Sequence, residues 1–148
     1  PIQKEGFAFR RLDGTMNVTQ REMAISDFQT EPSVTVMLMS LKAAALGLNL
    51  VCANHVVLLD PWFNPTIEEQ AIDRAHRIGQ TRAVEVVRLT VKDTVEEKIL
   101  ALQERKREMA RNALGDGSGM GVSSRTATKA PDLSLEDLRF LLGVIDGE

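Results

Sequence analysis

At 148 residues, 43% hydrophobic and 26% charged, with a formal net charge of −3, the chain has the size and make-up of one globular domain, neither disordered overall nor a tandem array. A single cysteine excludes an internal disulfide framework, and no apolar run approaches the roughly 18 residues of a membrane span, so a reducing compartment without membrane insertion or export is expected. The mild acidic balance argues against wrapping nucleic acid by bulk charge, and 4% aromatics with no tyrosine against a stacking platform for single strands; any such contact must come from a local basic surface.

Short strand-like runs alternate with helical segments as far as residue 113, the pattern of an α/β fold with a largely parallel sheet. A strand over 7–12 leads into RRLDGT, where Gly14 permits a tight turn. Backbone N–H groups at Gly14 and Thr15 would be open to a phosphate there, although a plain turn fits nearly as well. A helix follows over 19–30, with Asn17 or Thr19 as its N-cap and Glu22 in capping-box position after Thr19; Pro32 stops it. The strand over 34–39 (VTVMLM) ends at Ser40 and gives way to LKAAALGLNL, in which Gly47 allows close backbone approach at a sheet edge. An alanine-rich half-turn is more often helix packing than a phosphate cradle. A strand over 55–60 enters LLDPWFNP, whose prolines and Asn64 fix an extended loop in which Trp62 reads as a packing residue.

The next helix begins near Pro65 and runs to Gly79, its acids Glu68 and Glu69 early and its arginines late, as the helix dipole prefers. A strand over 84–91 precedes a helix over 94–114 with Val95, Ile99, Leu102 and Met109 on one stripe. Its Arg105-Lys106-Arg107 run, flanked by Glu104 and Glu108, reads as a solvated face. GDGSGMGVSSRTATKAPD cannot supply a core and reads as a flexible linker over 115–133. The last helix, within 134–148, is capped by Ser134, and its apolar face must dock somewhere.

The chemistry concentrates in QAIDRAHRIGQ. On one helix, Gln70, Asp73, Arg74 and Arg77 fall at spacings of three and four and share a face. Two permanently charged guanidinium groups there form a fork suited to phosphate oxygens. Spacing alone favours a blander reading, a solvated face with Asp73 and Arg77 as an i,i+4 pair. His55 and His76 lack partners at metal-ligand spacing, and Cys52 reads as a small buried hydrophobe. No P-loop, acidic tetrapeptide or nucleophile–base–orienter set occurs, which disfavours a self-contained phosphoryl-transfer or small-molecule enzyme.

QAIDRAHRIGQTR, together with RRLDGT, LMSLKAAALGLNL and LLDPWFNP in that order, closely resembles the second motor lobe of SWI/SNF-type helicase-like ATPases of helicase superfamily two, in their lodestar and helicase-like transcription factor branch. The resemblance implies a RecA-like parallel sheet flanked by helices. It implies a partial lobe over 1–114, including a brace-like helix over 94–114, with the strand that opens the lobe expected upstream, and a C-terminal helical extension. It implies that Arg74 and Arg77 reach the γ-phosphate of ATP from the second lobe, in a motif opened by Gln70, and that Gly47 and Asn49 lie near the nucleotide. Gly14, Thr15, Ser40, Lys42 and Asn64 would face double-stranded DNA, with Mg²⁺ held by the first lobe of the same polypeptide. The chain alone is then expected to be inactive, as part of a nuclear DNA translocase acting on chromatin.

The chain departs from that pattern where many relatives have threonine in place of Leu41, paired glycines in place of Ala44 and Ala45, and tryptophan in place of Phe63. The alternative is a non-catalytic DNA- or partner-binding module that keeps the lobe fold.

Overall fold

A computed structural model describes residues 2–44, 47–114 and 133–143. A 3-10 turn at Ile2–Glu5 is followed by β1 Ala8–Leu12, α1 Val18–Thr30, β2 Val34–Met39, α2 Leu41–Ala44 and β3 His55–Leu58. Then come α3 Pro65–Ile72, β4 Glu85–Arg88, α4 Val95–Leu114 and α5 Leu135–Leu142. β1 and β2 pair in parallel, from Phe9 opposite Val36 to Leu12 opposite Met39. β3 pairs with β4. The Glu85 N–H bond to the Asn54 carbonyl and the Leu89 N–H bond to the Leu58 carbonyl, both 2.9 Å, advance together along the two segments, so this pair is parallel as well. Each parallel pair is joined by a crossover that contains a helix, α1 in the first and α3 in the second, as parallel connections require. No described helix is long and apolar enough to cross a membrane.

The chain divides into two compact units, 1–56 with 69–87 and 57–68 with 88–148. In the first, α1 packs on β1 and β2 over a core that includes Leu12, Ala24, Val34 and Leu50. α1 begins at Asn17: its Oδ1 accepts from the Gln20 N–H at 2.9 Å, and Gln20 Oε1 accepts from the Asn17 N–H at 3.0 Å. The capping box is therefore closed by Gln20 and not by Glu22, because the cap lies two residues before Thr19. Arg10 Nε, 2.6 Å from Asp27 Oδ2, ties β1 to this helix.

In the second unit the fully buried side chains are Leu102, Gln103 and Glu68. The apolar stripe expected on α4 is narrower than its spacing suggested: Leu102 is buried, but Val95 and Met109 are exposed. α5 starts at Ser134, whose Oγ accepts from the Asp137 N–H at 3.0 Å, and ends at Gly143 in the left-handed region with φ 70°. A Cβ at Gly143 would lie 3.1 Å from the end of the flexible Lys98 side chain, so it is the positive φ and not lack of space that favours glycine there.

α5 docks against α4, but through its polar side. Lys106 Nζ lies 2.8 Å from Asp137 Oδ2, Arg105 Nη2 2.6 Å from Glu136 Oε1, and Lys98 Nζ donates to the Leu141 carbonyl at 3.1 Å. Leu135, Leu138, Phe140 and Leu142 stay exposed among the described residues, so the apolar face expected to dock does not do so against α4. The linker expected over 115–133 falls, except for Leu133, outside the described residues.

Burial pushes the Asp137 carboxyl up, but the Lys106 ammonium and the hydrogen bonds from Ser134 outweigh it and hold it below its ordinary value of 3.8. A carboxylate depressed by folding stabilises the folded form above its unfolded-state value, and that contribution fades as pH falls through the folded one. The protection factors of the α5 amides, exchange rates taken relative to the unfolded chain at the same pH, should therefore be highest at neutral pH and fall once pH drops below 3.8. In Asp137→Asn that step should be absent.

Candidate functional site

α3 does not reach Gly79. After Ile72 the bonding tightens: the Arg74 N–H donates to the Ala71 carbonyl at 3.2 Å and the Ala75 N–H to Ile72 at 3.0 Å, with the Gln80 N–H on Arg77 at 2.9 Å. The carbonyls a longer helix would use are taken from outside it. The Leu50 N–H donates to the Arg74 carbonyl at 2.9 Å, and Gln80 Nε2 donates to the Ala75 carbonyl at 3.2 Å. Those two carbonyls are the i−4 acceptors for the N–H groups of Ile78 and Gly79. The single helical face expected for Gln70, Asp73, Arg74 and Arg77 is thus broken: Gln70 stays on α3, while the other three sit in an irregular arginine turn over 73–79.

This turn borders an open cleft of about 670 Å³, lined by Asp73, Arg74, His76, Arg77, Gln80 and Arg82 among others. Gln70 does not line it. The i,i+4 pair between Asp73 and Arg77 is not formed, and neither arginine has an ion pair among the described residues. Arg74 Nε is buried without a hydrogen-bond partner there, and Arg77 is exposed. A buried guanidinium N–H with no acceptor is costly, and an anionic ligand in the cleft is the kind of group that would satisfy it. Both arginines line the cleft, from a turn and not from a helix.

Two further residues of this unit shape the cleft and were not assigned roles from the sequence. The Gln80 side chain donates from Nε2 to the carbonyls of Val51 at 3.0 Å, Ala53 at 2.7 Å and Ala75, and its Oε1 accepts from the Arg82 N–H at 2.9 Å. Arg82 reaches back to donate from Nη2 to the Cys52 carbonyl. Half-buried Cys52 has its thiol pushed up by burial, which disfavours the reactive thiolate.

Gly47 adopts φ 70°, yet nothing lies within 4 Å of the place of a Cβ, so conformation and not close approach calls for glycine. Asn49 is exposed; its carbonyl accepts from Gln29 Nε2 at 2.9 Å. Ser40 Oγ accepts from the Ala43 N–H at 3.3 Å at the start of α2, and Lys42 is exposed without a partner among the described residues. Ala45 lies outside them.

The RRLDGT turn differs from expectation. Gly14 does not use positive φ, and Asp13 closes the turn by accepting from the Thr15 N–H at 2.9 Å and the Thr15 hydroxyl at 2.6 Å. These bonds, with the Arg11 and Arg21 charges, hold the Asp13 carboxyl below its ordinary value. The Thr15 amide is thus engaged by a carboxylate and not free for a phosphate.

In the second unit, Asn64 is buried, and its Oδ1 accepts from the Thr66 N–H at 3.1 Å. It caps the start of α3, while its Nδ2 is buried without a hydrogen-bond partner among the described residues. Trp62 and Phe63 pack with ring centroids 5.2 Å apart, and Lys106 Nζ lies 5.7 Å from the Phe63 centroid.

Beneath them, Glu68 has no solvent exposure. Its Oε1 accepts from the Trp62 N–H at 2.7 Å and from Gln103 Nε2 at 2.6 Å, and its Oε2 is 3.0 Å from Arg88 Nε. This cluster links the 61–64 loop, α3, β4 and α4. Its one trace in the sequence is an acid four residues after Asn64; the distant partners Arg88 and Gln103 carry no local pattern. Glu68→Ala should lower stability in a urea melt by about 3 kcal/mol, near the low end for a broken buried pair because Arg88 is partly exposed and can rehydrate. A loss under ~0.5 kcal/mol would mean that the cluster contributes nothing.

Comparison with known proteins agrees with the motif evidence. Residues 2–79 match the helicase conserved C-terminal domain. The chain is 54% identical over 143 residues, 97% of its length, to "Helicase-like transcription factor CHR27" of Arabidopsis thaliana, of which it covers 13%. It is 43% identical over 140 residues to "DNA repair protein rad8" of Schizosaccharomyces pombe, covering 95% of this chain and 12% of that protein. The crystal structure of the C-terminal part of the Fun30 ATPase domain superposes with a TM-score of 0.67 at 42% identity, over 69% of this chain and 33% of that one. The chain thus spans only about an eighth of the length of the curated relatives it matches. Parallel strands flanked by helices, the arginine turn and these matches together mean that the chain belongs to the helicase conserved C-terminal domain family, in the form found in SNF2-family helicase-like transcription factor and RAD5 branch ATPases.

Proposed function

We propose that this chain is the second motor lobe of an ATP-driven double-stranded DNA translocase, nuclear and acting on chromatin, and that Arg74 and Arg77 stabilise charge on the γ-phosphoryl group of ATP held mainly by a first lobe of the same polypeptide. The observation that carries this reading is the pair of cations on an open cleft, one with a buried, partnerless Nε and neither engaged by a local carboxylate among the described residues.

In a phosphoryl transfer with little covalent work for the protein, preorganised positive charge is the main thing a second lobe can supply. Asp73 is the only carboxylate among the described lining of the cleft, so a magnesium ion on the nucleotide would take its ligands from the other lobe, and this chain alone would not turn over ATP. Closure of the lobes brings the arginines to the phosphate and moves the DNA-facing surface with them. On that surface Lys42 is exposed, Ser40 stands beside it at the start of α2, and Asn49 and Gly47 follow toward the nucleotide side. Asn64 and Asp13 serve by holding their loops and not by touching DNA.

The family relation supports ATP use, since relatives carry names such as "ATP-dependent helicase ULS1", and supports DNA and chromatin as partners through "DNA repair protein RAD5A" and a SWI/SNF-related chromatin regulator.

In the complete enzyme, Arg77→Ala should lower DNA-stimulated ATP hydrolysis by about 10³-fold or more, on the scale of a lost arginine finger, while ATP still binds. Turnover within twofold of the parent would remove this role. Lys42→Ala should weaken binding to duplexes of any sequence and reduce the slope of log affinity against log salt by about one, as expected for one lost phosphate contact. An unchanged slope would take Lys42 off the DNA surface.

A further inference from the structure

The Gln80 carboxamide is placed to do more than fill space. The two N–H bonds of one –NH₂ group lie within reach of three backbone carbonyls, one of them shared: Val51 and Ala53 from the segment entering β3 and Ala75 from the arginine turn. The carbonyl oxygen of the same group takes the Arg82 N–H, and the Gln80 N–H itself closes onto the Arg77 carbonyl. The neighbouring Leu50 N–H bond to the Arg74 carbonyl runs between the same two stretches of chain. We infer that Gln80 is a positioning residue for the arginine turn, fixing the backbone of Arg74 and Arg77 against the 49–53 segment so that both guanidinium groups face the cleft before any nucleotide arrives.

Donors aimed at a transferring phosphoryl group are effective only when their orientation is set in advance. Arg74 and Arg77 stand on irregular backbone, because Ala75 and Arg74 have given up the carbonyls that would have continued α3. A turn released from its helix needs another fixed frame, and the Gln80 bonds supply it on both sides of the two arginines. No charged side chain could replace the amide. A carboxylate would set negative charge against three carbonyl oxygens, and an ammonium could not accept from Arg82. The inference rests on the phosphate role proposed for Arg74 and Arg77.

The test uses the complete ATPase with Gln80→Ala, Gln80→Met, Arg77→Ala and the Gln80→Met/Arg77→Ala double variant. Methionine keeps most of the volume and removes every side-chain hydrogen bond. Each Gln80 variant should lower kcat of DNA-stimulated hydrolysis by about 10²-fold, the scale of a misplacement near 1 Å, with KM for ATP changed less than about threefold. In the Arg77→Ala background Gln80→Met should cost clearly less than in the parent, because only Arg74 is left for it to position.

Independently of activity, amides over 73–79 should exchange faster in both Gln80 variants while those of β1 and β2 keep the parent's protection. Multiplying penalties in the double variant, or full activity in Gln80→Met alongside a crippled Arg77→Ala, would overturn the positioning role and leave the arginine role standing. An active Arg77→Ala would overturn both. Loss of protection throughout β1 and β2 would make Gln80 a residue of the whole fold, which also overturns a local positioning role.

Discussion

The arrangement of this lobe depends on two backbone carbonyls that are prevented from extending α3. The Leu50 N–H holds the Arg74 carbonyl and Gln80 holds that of Ala75, so the i−4 acceptors of Ile78 and Gly79 are engaged elsewhere; the last α-type bond runs from the His76 N–H to the Ile72 carbonyl at 2.9 Å, and the helix does not continue to Gly79. On an uninterrupted helix Asp73 and Arg77 would be i,i+4 neighbours and would attract one another. Breaking the helix removes that geometry, and the two guanidinium groups keep their charge for something outside the local chain.

Several other arginines are engaged by carboxylates, although Arg21 Nε, like Arg74 Nε, is buried without a hydrogen-bond partner among the described residues. Arg10 is paired with Asp27, Arg11 with Asp13, Arg88 with Glu68, and Arg111 with Glu104. Two of these pairs tie elements together, Arg10–Asp27 joining β1 to α1 and Arg88–Glu68 joining β4 to α3, and the other two are local. The second unit takes the same approach to an extreme around Glu68, where a fully buried carboxylate is made tolerable only by an arginine, an amide side chain and a backbone N–H together. Charge in the arginine turn is handled differently. Backbone and amide groups hold the turn, and the guanidinium groups are left over. A lobe meant to complete a site on another piece of protein needs that division of labour, since a cation already engaged at home has little to offer a phosphate.

Much of the fold could be read from the sequence because it is written in local pattern. The strand over 34–39 is found over those same residues, the strands at 8–12 and 55–58 lie inside their expected ranges, and Ser134 caps the last helix as expected. What escaped was long-range. Gln20 displaced Glu22 in the capping box because Asn17, and not Thr19, took the cap. α3 fell short because its competitors, Leu50 and Gln80, lie 24 residues before and 5 residues after the carbonyls they take, outside any helical periodicity. Asn64 looked like a loop residue near DNA but is a buried cap, and Glu68 looked like an ordinary dipole-matching acid but is the centre of a buried cluster. For Asn64 and Glu68 burial decided the role, and burial depends on partners that one stretch of sequence does not contain; the Asn17 cap was a choice between two local candidates. The two arginines were legible as a pair because their spacing and neighbours form a motif; that they lie on a turn was not.

In the proposed reading, the destination of these two cations is a phosphoryl group held by another lobe. The most direct measurement is a structure of the complete protein on duplex DNA, trapped with ADP and a mimic of the transferring phosphoryl group. Both Arg74 and Arg77 should then donate to the mimic at about 2.9 Å, with the arginine turn and its Gln80 bonds unchanged from the lobe alone. A mimic fully coordinated by the other lobe, with these two guanidinium groups turned to solvent or paired with carboxylates, would contradict the account.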